Sequence, residues 1–153
     1  MQDVAKRLER GFLVLVDYGH EAATLYSASH AAGTLTTFRG HASEAREAGP
    51  GWLREPGERD ITSHVDFTGV RLAGLDAGLE CLGTVDQTYF LLGLGLAARL
   101  LEDGGADAAA IKRRLALKTL LLPGGMGSTH KVLVFGKRVN AGALRGLCAG
   151  RLT

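Results

Sequence analysis

An open α/β sheet is the fold that this sequence predicts, from three strand-like runs and the helical patterns between them. The runs are "FLVLVDYG" (12–19), "LECLGTVDQ" (79–87) and "HKVLVFGKRV" (130–139). With 153 residues and 46% hydrophobic content, the chain can build one real core and is too short to divide in two. Residues 1–153 are therefore read as a single unit.

Each element has a local justification. "MQDVAKRLERG" is too polar and basic for a signal peptide, and Asp3 and Glu9 separate it from an acid-poor presequence, so it reads as a surface helix. "FLVLVDYG" is a continuous apolar run ending in an acid and a glycine, as expected of a strand buried on both faces of a parallel sheet. "EAATLYSAS" supplies a helical turn or two, "GTLTTFRGH" (33–41) is extended, and 42–59 is loop-like, with Pro and Gly in its second half. "DFTGVRLAGLDAG" (66–78) forms a helix with Asp66 as N-cap and Gly78 just past its end.

After the strand at 79–87 comes a helix over "QTYFLLGLGLAARLLEDG", ending near Gly104, with Gly93 and Gly95 as packing positions. "ADAAAIKRRLALKTLLL" (106–122) makes another, its Ile111, Leu115, Thr119 and Leu122 stripe facing inward and Lys112, Arg113 and Lys118 solvated. Pro123 stops it. The tail beyond the last strand is weakly patterned.

Composition excludes several classes. Net charge is +2, and no Lys/Arg run is interleaved with aromatics, so nucleic acid is not an expected partner. Cys81 and Cys148 lack metal-ligand spacing; they read as small buried hydrophobes of a reducing, cytoplasmic compartment. The apolar stretch "YFLLGLGLAARLL" falls short of the roughly 20 residues that cross a bilayer. No membrane association is expected.

The polar motifs converge on one place. In "ERDITSHVDFTG" (58–69), an extended chain puts Asp60, Thr62, His64 and Asp66 on one side and Ile61, Val65 and Phe67 on the other. Open α/β sheets bind ligands at the carboxyl ends of their strands. That edge receives "DYGH", "FRGH", "DITSHVD", "VDQ" and "GGMGSTH", bringing His20, His41, His64 and His130 near one cleft. Each histidine is either a hydrogen-bonding structural residue or a working one. A metal site from Asp60, His64 and Asp66 lacks further ligands, so no metal is expected. A His64–carboxylate pair would make a base near neutral pH.

Five blocks together carry a family resemblance: "VLVDYGH" (14–20), "GTLTTFRGH" (33–41), "PGERDITSHVDFT" (56–68), "QTYFLLGLGL" (87–96) and "GMGSTHKVLVFGK" (125–137). The chain resembles the C-terminal part of MidA-type S-adenosylmethionine-dependent methyltransferases, whose relatives include the mitochondrial complex I assembly factor methyltransferase. The resemblance implies the C-terminal half of a Rossmann-like class I methyltransferase sheet: strands five, six and an antiparallel seventh, flanking helices and a lid insertion. Thr129 and His130 depart from the bulkier aromatic that relatives commonly carry before the lysine.

The glycine-rich turn, the ribose-binding acid and the Asn-Glu motif that the family places before strand five have no counterpart in this sequence. Gly93/Gly95, "PGG" and "GMG" lack the strand–turn–helix context of a cofactor loop. Met1 directly before the helix leading into strand five reads as a truncated gene, a fragment or the second piece of a split protein. The chain alone is expected neither to bind S-adenosylmethionine nor to transfer methyl groups. The side of strand five that would pair with strand four is left open for an N-terminal half or for self-association.

The implied substrate is a protein bearing a target arginine, and carboxylates suit a guanidinium. The candidate catalytic residues are Asp17, Asp60, His64 and Asp66. Tyr18, His20, Arg39, His41 and Gln87 are candidates for substrate binding. A cytoplasmic location is expected, or the mitochondrial matrix for a eukaryotic relative. The alternatives are a non-catalytic interaction module and one half of a split methyltransferase.

Overall fold

The computed structural model describes residues 1–31, 33–39, 42–43, 53, 57–102, 105–122, 126–140 and 142–149. His41, Pro123 and most of the loop over 42–59 lie outside the described residues. Helix α1 (Gln2–Arg7) leads into β1 (Gly11–His20), followed by α2 (Ala22–Leu25) and a 3-10 turn (Ala28–His30). Then come β2 (Leu35–Arg39), β3 (Ala42–Ser43), β4 (Asp60–Ser63), β5 (Val65–Asp66) and α3 (Phe67–Asp76). Strand β6 (Glu80–Asp86) is followed by α4 (Gln87–Gly93), α5 (Leu96–Glu102) and α6 (Ala108–Leu121), and the chain continues through β7 (His130–Lys137) to α7 (Arg145–Cys148).

The main sheet has the order β5-β1-β7-β6, and β3-β2-β4 form a separate small sheet. Strand β7 runs antiparallel to both neighbours, so β1 and β6 point the same way without touching. Among the described residues only the short β1–β5 pairing is parallel. The sheet is therefore mostly antiparallel, and the expectation of a parallel environment around β1 is corrected by the insertion of β7.

One core face of the sheet joins Leu13 and Leu15 of β1 to Leu133 and Phe135, under Ala5, Phe67 and Leu79. On the other face Val132 and Val134 pack with Leu147, Phe90 and Leu144. That cover stops at β7. Val14 and Val16 register opposite Val134 and Val132 and share their face, yet Phe12, Val14 and Val16 are 46%, 47% and 51% exposed. The expectation that β1 is buried on both faces is thus wrong, because α4 and α7 reach only β6 and β7. Among the described residues, β1 also pairs on one side alone from Gly11 to Tyr18.

The helix at α3 begins and ends as its sequence dictates. The Asp66 carboxylate accepts the Gly69 backbone N–H at 3.0 Å, and Gly78, at φ +79°, takes the left-handed conformation just past the end. The long helix expected over 87–104 is instead broken at Gly95, whose φ is +89°. Gly93 is a packing position: a Cβ there would lie 2.2 Å from the Arg145 carbonyl oxygen, which lets α7 press against α4.

Three further expectations are corrected. Helix α6 buries Ala110 completely, whereas Ile111, Leu115 and Leu122 are exposed, so its apolar stripe faces outward. Its C-terminal carbonyls fix that rotation: Gln87 Nε2 donates to the Leu120 carbonyl at 3.0 Å and the Thr88 hydroxyl to that of Leu121 at 2.6 Å. Ile61 is also exposed, because β4 pairs with β2 and not with the main sheet. Cys148 is exposed on α7, while Cys81 is half-buried.

Asp66→Ala removes the α3 cap and is expected to lower unfolding free energy by about 1 kcal/mol, with Asp66→Asn retaining most of it. Urea denaturation of the two variants checks this.

Candidate functional site

At the carboxyl end of β1 lies a cavity of about 510 Å³. One wall is Tyr18–His20; a second is Thr36, Thr62, Ser63 and His64; the third is Ser128–Lys131 at the start of β7. The chain leaves the small sheet at Ser63 and joins the main sheet at Val65, beside Gly19. Gly19 permits this approach, since a Cβ there would sit 2.1 Å from the Val65 carbonyl oxygen. The tight junction carries His64 over the end of β1.

Aromatic rings fill that junction. Tyr18 pairs in register with His130, their ring centroids 5.6 Å apart, and its hydroxyl bonds that of Thr62. His20 lies 5.1 Å from His64 and 4.9 Å from His30; Tyr18 and His30 are each 5.8 Å from His64. His30 Nδ1 is 3.0 Å from the Thr24 carbonyl oxygen. A carbonyl only accepts, so that nitrogen carries a hydrogen and the neutral ring keeps its lone pair on Nε2.

Burial holds the His20 pKa below its ordinary value, assisted by the positive charge that His64, His30 and Lys131 can carry nearby. The Lys131 ammonium is bound by Asp86, at the end of β6, at 2.5 Å. His64 Nδ1 is buried without a hydrogen-bond partner among the described residues. Below the cavity, Glu21 accepts the Thr68 hydroxyl and pairs with Arg71 at 3.3 Å, tying the end of β1 to α3.

The expected residues divide. Tyr18, His20, His64 and His130 line the cavity together, whereas none of the acids does. Alternation along β1 puts Asp17 on the face opposite Tyr18, where its carboxylate accepts the Tyr18 backbone N–H at 2.8 Å. Asp60 is exposed at the start of β4, opposite Phe38. Asp66 caps α3 and accepts the Tyr26 hydroxyl at 3.4 Å. Gln87 is buried under α6, and the side chain of Arg39 lies outside the described residues.

His64 therefore meets imidazoles and Tyr18 where a carboxylate partner was expected. His30 was missed, because "SASHAAG" carries no strand or helix pattern that would bring it to the edge. Among the described residues no cluster of three or more His, Cys, Asp or Glu is arranged to hold a metal. No helix among them is long and apolar enough to cross a membrane.

Comparison with known proteins assigns the family. Residues 1–85 match the model of the family described as "Putative S-adenosyl-L-methionine-dependent methyltransferase". The chain belongs to that family. A solved COG1565 superfamily protein from Burkholderia thailandensis, bound to S-adenosyl-homocysteine, is 31% identical and superposes with a TM-score of 0.81 over 97% of this chain. Another COG1565 superfamily structure from that organism gives 31% identity and a TM-score of 0.80, again over 97%. The chain spans 37% and 38% of the length of these two relatives. A search of curated proteins found no match.

The glycines at the cavity edge do not form a cradle for that cofactor. A Cβ on Gly19 would strike Val65, and one on Gly127 would meet the Leu121 carbonyl at 2.3 Å and the Thr88 hydroxyl at 2.4 Å. Both spaces are filled by the protein's own packing, so neither glycine offers open backbone to a ligand.

The depressed His20 pKa has a defined sign. Above the ordinary histidine pKa of about 6.5 the ring is neutral folded and unfolded; below it the unfolded chain takes the proton first, so stability falls with pH down to the folded pKa. The urea midpoint of the native protein should drop more than that of His20→Gln when pH is lowered through this window.

Proposed function

We propose that this chain is the substrate-side portion of a MidA-type S-adenosylmethionine-dependent methyltransferase, with the methyl donor held by a portion lying outside it. The observation that carries the reading is the continuity of one surface. The uncovered stripe Phe12, Val14 and Val16 runs along the same face of β1 into Tyr18 and His20 of the cavity. Another body seated on that stripe and pairing with the open edge of β1 would bring its own site to the cavity mouth. Covering three such side chains is worth on the order of a few kcal/mol.

In this reading the chain positions the nucleophile and takes its proton. A protonated nucleophile must lose a proton when methylated, and a neutral imidazole can receive it. His20, kept below its ordinary pKa, is the ring best held neutral near pH 7, and His64 faces it at 5.1 Å. The Tyr18–Thr62 hydrogen bond fixes the wall behind them. The unpaired cysteines agree with a reducing cytoplasm.

An arginine-bearing protein is the substrate that the MidA resemblance implies. Its guanidinium asks for a carboxylate, and Asp17, Asp60 and Asp66 do not line the cavity. The proposal therefore stands at methyl transfer to a protein nucleophile.

The test joins the portion of the Burkholderia relative that precedes the matched segment to this chain and follows labelled methyl transfer. The chain alone should bind no S-adenosylmethionine by calorimetry; the joined protein should bind it and turn over. His20→Gln in the joined protein should lose about 10²–10⁴-fold in turnover with cofactor binding intact. Micromolar cofactor binding by the chain alone, or a joined protein that binds cofactor and methylates nothing in a lysate, contradicts the reading.

A further inference from the structure

We infer that the cavity receives an oxyanion, a carboxylate or phosphate group carried by the substrate, between His20, His64 and His130 and the hydroxyls of Ser63 and Ser128. The inference rests on the functional reading only in taking this cavity as the place where substrate sits.

The chemistry of the walls selects the charge. Among the described residues the cavity is lined by imidazoles, hydroxyls, a phenol and one ammonium, and by no carboxylate. A guanidinium or ammonium entering it would give up water for a wall without a counter-charge, which is costly. The ammonium of Lys131 is already compensated by Asp86, leaving the imidazoles as the groups that can gain charge. His64 lines the cavity with its ring while its Nδ1 is closed off from that space, so the ring would meet an oxyanion through Nε2.

The spacing of the rings points the same way. His20, His30 and His64 lie 4.9–5.8 Å from one another, so two protons on them repel unless an anion sits between. Among the described residues, several groups surround His20 or share its cavity. These are Tyr18 with His130, the His30 and His64 rings, and Lys131 with Asp86. Asp66, in register with His20, caps α3, and Glu21 is held by Thr68 and Arg71. Asp66, Glu21 and Asp86 are thus engaged elsewhere, and an anion in the cavity would offset the neighbouring charges that add to burial in lowering the His20 pKa. Binding should strengthen as pH falls through the histidine range.

The experiment titrates the full chain with inorganic phosphate, acetate and ethylguanidinium separately, reading the histidine ring resonances at about pH 6 and about pH 8. An anion should move the His20 and His64 signals, raise their pKa values and bind about tenfold more tightly at the lower pH. A response to phosphate alone assigns a phosphate group, and a response to acetate a carboxylate. His64→Gln and His130→Gln, checked for native circular dichroism, should each weaken the anion by about tenfold. Anions that leave the signals unmoved, or binding unchanged in both variants, overturn the inference. So does a cavity that takes ethylguanidinium, more tightly at higher pH. No methyl donor is involved, so these results stand apart from the methyl-transfer test.

Discussion

Strand β7 threads antiparallel between β1 and β6, with Val132–Gly136 all buried, and the described structure is organised around it. Leu133 and Phe135 join α1 and α3 to one face of the sheet, and Val132 and Val134 join α4 and α7 to the other. A strand returning from the end of the chain thus locks the opening of the chain in place. His130 and Lys131 enter β7 at the carboxyl edge of β1, so the same strand that closes the core delivers one wall of the cavity.

The second wall depends on a single close approach. Gly19 and Val65 come together at a distance that no side chain on residue 19 would allow, and this fixes where the small sheet hands over to the main one. His64 sits at that handover and gains its neighbours from it. That no acid lines the cavity among the described residues has equally local causes: strand alternation turns Asp17 away, and helix capping occupies Asp66. Among the described residues the cavity wall consequently carries imidazoles, hydroxyls and the Lys131 ammonium that Asp86 holds.

Much of this was legible in the sequence wherever one local rule decided the outcome. The three main strands, the Asp66 cap and the Gly78 stop follow from short-range pattern, and the carboxyl-edge rule brought Tyr18, His20, His64 and His130 together. Readings that needed the neighbouring elements failed. The stripe from Asp60 to Asp66 was read as one strand, but it is divided between two sheets, which sends Ile61 outward. Helix α6 presents Ala110 inward because Gln87 and Thr88 grip its last carbonyls, a constraint that periodicity does not contain. Helix α7 was unreadable because its packing rests on Gly93 and Gly146, residues that carry no hydrophobic signal.

On the reading proposed above, another body next to the cavity completes the half-exposed face of β1 and the edge that is open from Gly11 to Tyr18 among the described residues. Amide hydrogen exchange of Gly11–Tyr18 tests it most directly. In the chain alone, amides turned toward β7 should be protected and those turned to the open edge should exchange quickly. Adding the relative's preceding portion as a separate polypeptide should slow the second set alone. Edge amides already protected in the monomeric chain, or unchanged when that portion binds, would contradict the account.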